Sequence, residues 1–194
     1  LSEVIKKILF LGFWLWLTTS FQSTSKAFVD SLIQAGLLAG GKPGAYGLLL
    51  DPSRIAGYGL QATEQLTKAL ENVGFDVADA LIFGLSYLAI MAAFLVMAIQ
   101  AFLAVLEYYL LAAVVGILIP FGILPQTKFL AEKAIGAIVS AGIKLMVLAF
   151  VLAVAEPTLA NIRFSGPEIK LNELWSVLLT CGAIAFLAGN APSL

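Results

Sequence analysis

The chain alternates between long apolar runs and short polar interruptions, and this pattern predicts helices that cross a membrane. Apolar residues dominate residues 4–21, 80–106, 129–156 and 174–187. A helix that crosses a bilayer needs roughly 17 to 25 mostly apolar residues, and the last of these runs is the shortest. The pattern therefore predicts an all-α membrane protein, with about four transmembrane helices in this chain.

A fifth apolar element, residues 108–124, follows the second run almost without interruption. One helix over residues 80–124 would be roughly 70 Å long, more than twice the hydrocarbon thickness. The sequence therefore predicts a break near Glu107. Helix-breaking residues end the element: Gly116, Pro120, Gly122 and Pro125. A tilted half-helix, a re-entrant hairpin and a full crossing all remain open for it.

The longest polar region, residues 22–79, predicts an external loop that contains an amphipathic helix. Asp51 before Pro52 favours a helix start, because the carboxylate can cap free amides and proline suits the first turn. Apolar positions then recur on one helical face: Ile55, Ala62, Leu66, Leu70, Val73 and Val77. Glu64 and Lys68 form an i, i+4 pair on the polar side. We expect this helix to lie across a neighbouring helix or the membrane surface.

Glycines between Gly36 and Gly47 indicate a flexible turn within that loop. The string GLLAGGK, residues 36–42, approaches a phosphate-binding loop. Pro43, however, stands where a Ser or Thr would bind magnesium, and no buried strand precedes the string. We therefore do not expect a nucleotide site.

Composition excludes several classes of function. Hydrophobic residues make up 61% of the chain, charged residues 12%, and the net charge is −1; the mean hydropathy is +1.00. These values argue against a soluble domain and against a nucleic-acid-binding surface. Histidine is absent, which removes His-based triads and the commonest metal ligand. Cys181 lies in an apolar run and is interpreted as an inert buried thiol, and we expect no catalytic residue, cofactor or metal.

Basic residues predict the orientation in the membrane, since positive flanks favour the cytoplasmic side. They flank the first run and fill the turn before the third: Lys6, Lys7, Lys128 and Lys133. The N-terminal end and this turn are therefore predicted inside, and the loop 22–79 outside, in the periplasm. Trp14 and Trp16 are then expected near the far interface.

Few polar side chains fall within the apolar runs, and three of them are candidates for an intramembrane polar site: Gln100, Glu107 and Lys144. An ionisable group in lipid costs roughly 2.5 to 3.5 kcal/mol on insertion scales and requires a partner. Glu107 is therefore either an interfacial residue or a buried carboxylate paired with Lys144.

Small residues recur at four-residue spacing in the third long run: Gly136, Ala137, Ser140 and Ala141. Such residues let helix backbones approach closely in lipid. They predict a helix-packing face, used either within the chain or between subunits. Leu148 and Val151 are expected to face lipid.

Several segments resemble the TrbL-type polytopic inner-membrane proteins of bacterial conjugation and type IV secretion. They are SEVIKKILFLGFWLWL at the start, DPSRIAGYGL, EYYLLAAVVGILIPFG, TKFLAEKAIGAIVSAGIKLMVLAFVLAV and a late APSL. The resemblance covers nearly the whole chain and rests on the order and spacing of these segments. The family usually has a further helix upstream, and the chain begins at Leu1 without a methionine, so we expect it to be part of a longer product.

The resemblance implies a homo-oligomeric ring, a pentamer, at the base of the secretion apparatus. Its partners would be stalk or pilus subunits and other inner-membrane secretion subunits, and it would support pilus biogenesis and DNA transfer. The residues themselves support a non-enzymatic platform. A small-solute channel or transporter is the alternative, with Glu107, Lys144, Ser140 and Gln100 along its path.

Overall fold

A computed structural model describes residues 2–44, 47, 51–72, 77–160 and 171–190, and within these ranges it contains helices and no strand. In chain order the elements are α1 (Ser2–Ala39), α2 (Pro52–Asn72), α3 (Val77–Leu118), a short 3-10 helix (Ile119–Ile123), α4 (Lys128–Ala160) and α5 (Leu171–Asn190). The prediction of an all-α chain is confirmed.

Four of these elements are long and apolar enough to cross a membrane. They are α1, α3 with the 3-10 helix that follows it, α4 and α5. The helix α2 is less apolar than these four elements. It is amphipathic, with polar and apolar residues on opposite faces. The chain is therefore a multi-pass membrane protein, as the hydropathy pattern predicts.

α1 and α4 lie side by side and run in the same direction. Val29 of α1 lies beside Gly142 of α4, and Gly40, further along α1, lies beside Ala153, further along α4. α3 runs the opposite way and is joined to α4 by a corner, residues 119–127, that contains the 3-10 helix. The buried core includes side chains from these three helices and also from α2 and α5.

The break expected near Glu107 is absent, because α3 continues as one helix to Leu118. α3 contains no proline. Pro120 lies in the first turn of the 3-10 helix, where its missing N–H is tolerated. With 42 residues, α3 is about 63 Å long and exceeds the hydrocarbon core of about 30 Å when upright. The element 108–124 is thus the end of α3 plus the 3-10 helix, and its crossing of the membrane stays a prediction.

α1 continues beyond the predicted span 4–21 through residues 22–39, which the sequence assigned to the external loop. Val29, Ile33 and Leu37 recur every four residues and are buried. This spacing places them on one face of the helix, the face that packs on α4. The predicted loop therefore begins with half of a long helix, while the membrane boundaries stay predictions.

α2 begins and packs as the sequence predicts. The Asp51 carboxylate accepts a hydrogen bond from the backbone N–H of Ser53 at 3.2 Å, and Ile55, Ala62 and Leu66 are buried. The neighbour that covers them is the first half of α3. Leu70 and Val73 lie outside the side chains that the structure describes, and Val77 is exposed at the start of α3.

The prediction that Leu148 faces lipid is wrong, because its side chain is fully buried. Val151 is half-buried against the core. Leu148 shares a helical face with Leu145 and Leu152, which are buried with it. This face of α4 meets its neighbours inside the chain, and hydropathy alone does not separate such a face from one in contact with lipid.

α4 runs through Pro157 to Ala160, about one turn beyond the end predicted at residue 156. Most of the predicted connection, residues 158–173, lies outside the described residues. α5 begins at Leu171, slightly before the predicted start at residue 174, and ends at Asn190.

Candidate functional site

The structure brings Glu107 of α3 and Lys144 of α4 together. The Lys144 ammonium donates a hydrogen bond to Glu107 Oε1 at 3.1 Å, and the side chains are 32% and 45% exposed, respectively. The pairing foreseen for these two residues is present, although neither is deeply buried. Each charge has its partner on the adjacent helix, so the pair joins α3 to α4 near the middle of α4.

Gln100 does not join this pair. It lies seven residues before Glu107, and therefore on nearly the same face of α3 but about 10 Å further along the axis. Its side chain lies beside Gly189 near the end of α5. The three candidate polar residues thus form one pair and one separate amide, and no continuous polar line.

The four small residues predicted to form one packing face are divided by the structure. Ala141 is buried and Ala137 is half-buried. Gly136 and Ser140 are exposed, and a Cβ added at Gly136 would meet no atom within 4 Å. Ala141 therefore serves packing within the chain, while Gly136 and Ser140 lie on a surface that this chain does not cover.

The close contact between α1 and α4 uses glycines that the sequence assigned to a flexible turn. A Cβ at Gly36 would overlap the backbone carbonyl of Met146, and one at Gly40 would lie 2.6 Å from Ala153 Cβ. On the α4 side, a Cβ at Gly142 would lie 2.7 Å from Leu32 Cδ1. The spacing of four residues between Gly36 and Gly40 is the signal that could have revealed this crossing. Gly41, with φ of 76°, is the residue that does form a turn.

Trp14 packs in the core, whereas the sequence placed it at the membrane interface. Only 5% of Trp14 is exposed, and its ring lies where a side chain on Gly122 would have to be. Trp16, in contrast, is 54% exposed. Trp14 and Gly122 thus hold α1 against the corner between α3 and α4.

The ends of the bundle carry different charges. At the corner, a groove of about 470 Å³ is lined by residues that include Lys6, Lys7 and Pro125. At the other end, the Lys42 ammonium lies 3.4 Å from Glu156 Oε2 and joins the end of α1 to the end of α4. The groove is also lined by Glu3, and at the start of α4 the Lys128 ammonium lies 2.9 Å from Glu132 Oε1. With Lys133 close by in α4, lysines outnumber glutamates at the corner end.

α2 carries an exposed ion pair between two of its own residues, Glu64 and Lys68. The Lys68 ammonium donates a hydrogen bond to Glu64 Oε1 at 2.7 Å, which lowers the pKa of the Glu64 carboxyl below its usual value. The predicted i, i+4 pair is thus present. Since both side chains are mostly in solvent, the pair contributes little to stability.

The remaining candidates for a chemical site are a metal-binding cluster and the Cys181 thiol. No group of three His, Cys, Asp or Glu side chains that could hold a metal ion occurs among the residues described. Cys181 is a buried free thiol. The described arrangement can support helix packing, with ion pairs that join α3 to α4 and the end of α1 to the end of α4.

Residues 1–191 match the TrbL/VirB6 plasmid conjugal transfer protein family. No curated protein and no solved structure matches the chain. The family match covers nearly the entire chain, so the chain belongs to the TrbL/VirB6 family. It is therefore a component of a conjugal transfer or type IV secretion system, and the family is a structural part of the conjugation machinery.

Proposed function

We propose that this TrbL/VirB6 protein is an inner-membrane platform that forms a homo-oligomeric ring, a pentamer, in a conjugative type IV secretion apparatus. The family match over residues 1–191 carries the proposal. In this role the ring supports assembly of the stalk or pilus and the passage of DNA and protein substrates. It acts without a catalytic residue or cofactor.

An uncovered small-residue surface on α4 supports the formation of a ring. Gly136 and Ser140 are exposed, one turn apart, and the neighbouring Ile143 is 44% exposed. Small residues let the backbone of a second helix approach closely, which is the main route to tight helix association in lipid. We propose that this surface, Gly136, Ser140 and Ile143, meets a second copy of the chain.

The charge distribution supports an orientation with the corner in the cytoplasm. Lys6 and Lys7 lie beside the corner, and Lys128 begins α4 next to it. Because positive flanks favour the cytoplasmic side, we propose that α2 lies on the periplasmic side. It would there contact stalk and pilus subunits, and other inner-membrane subunits would surround the ring.

A small-solute channel or transporter is the alternative function. The exposed pair of Glu107 and Lys144 is the observation that favours it, since charges at membrane depth often mark a path for ions or solutes. Gln100 is separate from that pair, and the described polar groups do not form a continuous route.

The test compares the oligomeric mass of two tryptophan variants with that of the unchanged protein in mild detergent. Gly136→Trp is expected to reduce the ring to smaller species, because it places a bulky ring on the proposed contact surface. Gly182→Trp on α5 is the matched control, since Gly182 is also exposed and open within 4 Å. Light scattering or native mass spectrometry gives the mass.

A monomer or dimer for the unchanged protein would contradict the proposal. If liposomes containing that species also conducted a small ion or solute, the alternative function would take its place. A ring that tolerates Gly136→Trp as well as Gly182→Trp would keep the platform and exclude this surface of α4.

A further inference from the structure

The groove at the corner lies between the first three turns of α1 and the segment that follows α3. Its volume is about 470 Å³, and we refer to it as the corner groove. The charged residues that line it are Glu3, Lys6 and Lys7, and the other lining residues are Phe10, Leu11, Ile123 and Pro125. One cavity therefore combines lysines with an apolar surface.

Lys6 and Lys7 bring an excess of positive charge to this groove. Neither takes part in an ion pair among the residues that the structure describes, whereas Lys128, at the same end of the bundle, is paired with Glu132. Glu3 is the one carboxylate that lines the groove, against two ammonium groups. The charge of the groove therefore favours an anion.

The apolar part of the groove is continuous with the packed core. The rings of Phe10 and Trp14 meet edge-on, with their centroids 6.2 Å apart, and Trp14 is buried against Gly122. Ile123 is half-buried against the same core. Phe10 and Leu11 remain exposed. The structure thus holds an open apolar surface beside the two lysines.

The groove lies where apolar residues give way to polar ones. In α1, the exposed apolar residues Ile8 and Leu9 directly follow the lysines, and at the corner Gln126 and Thr127 follow the apolar end of α3. A lysine at the edge of an apolar segment keeps its stem in the apolar region and places its ammonium group among lipid headgroups. The lysines of the groove are therefore expected at headgroup level.

We propose that the corner groove binds an anionic phospholipid. The phosphate of the headgroup accepts hydrogen bonds from the ammonium groups of Lys6 and Lys7, and one acyl chain packs along Phe10, Leu11 and Ile123. Basic pockets beside membrane helices bind anionic headgroups, and van der Waals packing holds the chain. The site does not depend on the number of copies in the particle.

General attraction between lysines and an anionic membrane surface is the simpler explanation for any preference for such lipids. Lys128 and Lys133 allow the two explanations to be separated, because they lie at the same end of the bundle but do not line the groove. Replacing either pair of lysines removes two positive charges. General attraction therefore predicts the same loss from both replacements, and a site in the groove does not.

The test titrates the whole protein, freed of lipid in mild detergent, with phosphatidylglycerol or with phosphatidylcholine that carries the same acyl chains. Native mass spectrometry counts the lipids bound at each concentration. The groove variant combines Lys6→Gln with Lys7→Gln, and the matched control combines Lys128→Gln with Lys133→Gln. A third variant, Lys6→Arg with Lys7→Arg, keeps the charge of the groove.

We expect the unchanged protein to bind one phosphatidylglycerol per chain several-fold more tightly than phosphatidylcholine. The groove variant should lose this preference, while the matched control and the arginine variant should keep it. Equal binding of the two lipids by the unchanged protein would overturn the proposal. So would an equal loss in the groove variant and the matched control, since the preference would then arise from general attraction.

The apolar half of the site is tested with Leu11→Ser and its control Leu9→Ser. Both side chains are exposed on α1, but only Leu11 lines the groove. Leu11→Ser should weaken the binding of phosphatidylglycerol several-fold, and Leu9→Ser should leave it unchanged. Equal effects would show that the lipid binds elsewhere.

Two further outcomes would overturn the proposal. If inorganic phosphate displaced phosphatidylglycerol at similar concentrations, the groove would be a site for free anions and not for a lipid. If the unchanged protein bound no phosphatidylglycerol, another part of the protein or a second copy would occupy the groove. All the replaced side chains are exposed, and circular dichroism of each variant checks that its helices are intact.

Discussion

Gly36 is a residue at which a single missing side chain allows two helices to meet. Its Cα lies so close to α4 that a Cβ would overlap the carbonyl oxygen of Met146. A backbone atom cannot move aside as the end of a flexible side chain can. The contact between α1 and α4 therefore depends on glycine at this position.

Gly36→Ala should destabilise the protein by about 1 to 3 kcal/mol, the usual cost of overpacking a tight contact. Gly182→Ala is the matched control on α5, where the added Cβ meets no atom within 4 Å. There the change should be neutral or stabilise the helix by up to about 1 kcal/mol. Unfolding by a denaturing detergent, followed by circular dichroism, measures both. Equal stability of the two variants would contradict the crossing.

Glu107 and Lys144 show what a charge requires in an apolar chain. Each lies among apolar neighbours in sequence, and each finds its counter-charge on the adjacent helix. An unpaired ionised group in that setting would be costly. The need for a partner was readable from the sequence, while the 3.1 Å contact follows from the way α3 folds back onto α4.

Among the elements, α2 depends most visibly on one contact with its neighbour. A Cβ at Gly59 would lie 2.8 Å from Phe94 Cβ, in the core of α3. Thr63, one turn later, is also buried, and its hydroxyl donates a hydrogen bond to the Gly59 carbonyl at 2.8 Å. The amphipathic helix therefore lies on α3 through a small-residue surface.

Gly59→Val should displace α2 from α3 and cost about 1 to 3 kcal/mol. Gly57→Val, two residues away on the same helix, should cost less, because a Cβ at Gly57 meets nothing within 4 Å. Both variants carry the same change in helix propensity, so the difference reports packing. Hydrogen exchange of the α2 amides should rise in the first variant only. Similar protection in both would show that α2 is not held by this contact.

α1 and α3 are both longer than a membrane span requires, so the length of a helix does not show where the membrane ends. The sequence predicts where apolar residues begin and end, and the bilayer suggests where a span should stop. A helix, however, ends where its backbone hydrogen bonds end. No breaker occurs between Glu107 and Gly116, so α3 continues through the predicted boundary to Leu118.

At the scale of the whole molecule, the described residues carry an excess of positive charge at the corner end. Four lysines lie there, at the start of α1 and the start of α4: Lys6, Lys7, Lys128 and Lys133. Glu3 and Glu132 offset part of this charge, and Glu132 is paired with Lys128. At the opposite end, Lys42 is matched by Glu156. This asymmetry is the feature from which the proposed cytoplasmic position of the corner follows.

Replacing these four lysines by glutamine should increase the fraction of molecules inserted with the corner outside. Reporters of topology fused after residue 126 and after residue 57 measure the two sides. The matched control replaces four positive residues elsewhere by glutamine: Lys26, Lys42, Arg54 and Lys68. It should leave the orientation as it is, because these residues are away from the corner. An unchanged topology in the first variant would contradict orientation by these lysines.

The sequence by itself determined the class of protein and the nature of its elements. Apolar run lengths predict four membrane helices, Asp51 and Pro52 predict the start of α2, and the quoted segments indicate the family. These signals are local, since composition, caps and periodicity act within one helix.

Only the tertiary structure decided which side of each helix meets protein. Leu148 is buried and Gly136 is exposed, although both lie in the same apolar run. The close crossing uses Gly36 and Gly40, which resembled turn residues, and Trp14 packs on Gly122. Lipid and protein interior are similarly apolar, so hydropathy carries no contrast between the two sides of a membrane helix. The contacts of neighbouring helices supply that contrast, because only they show where two backbones approach.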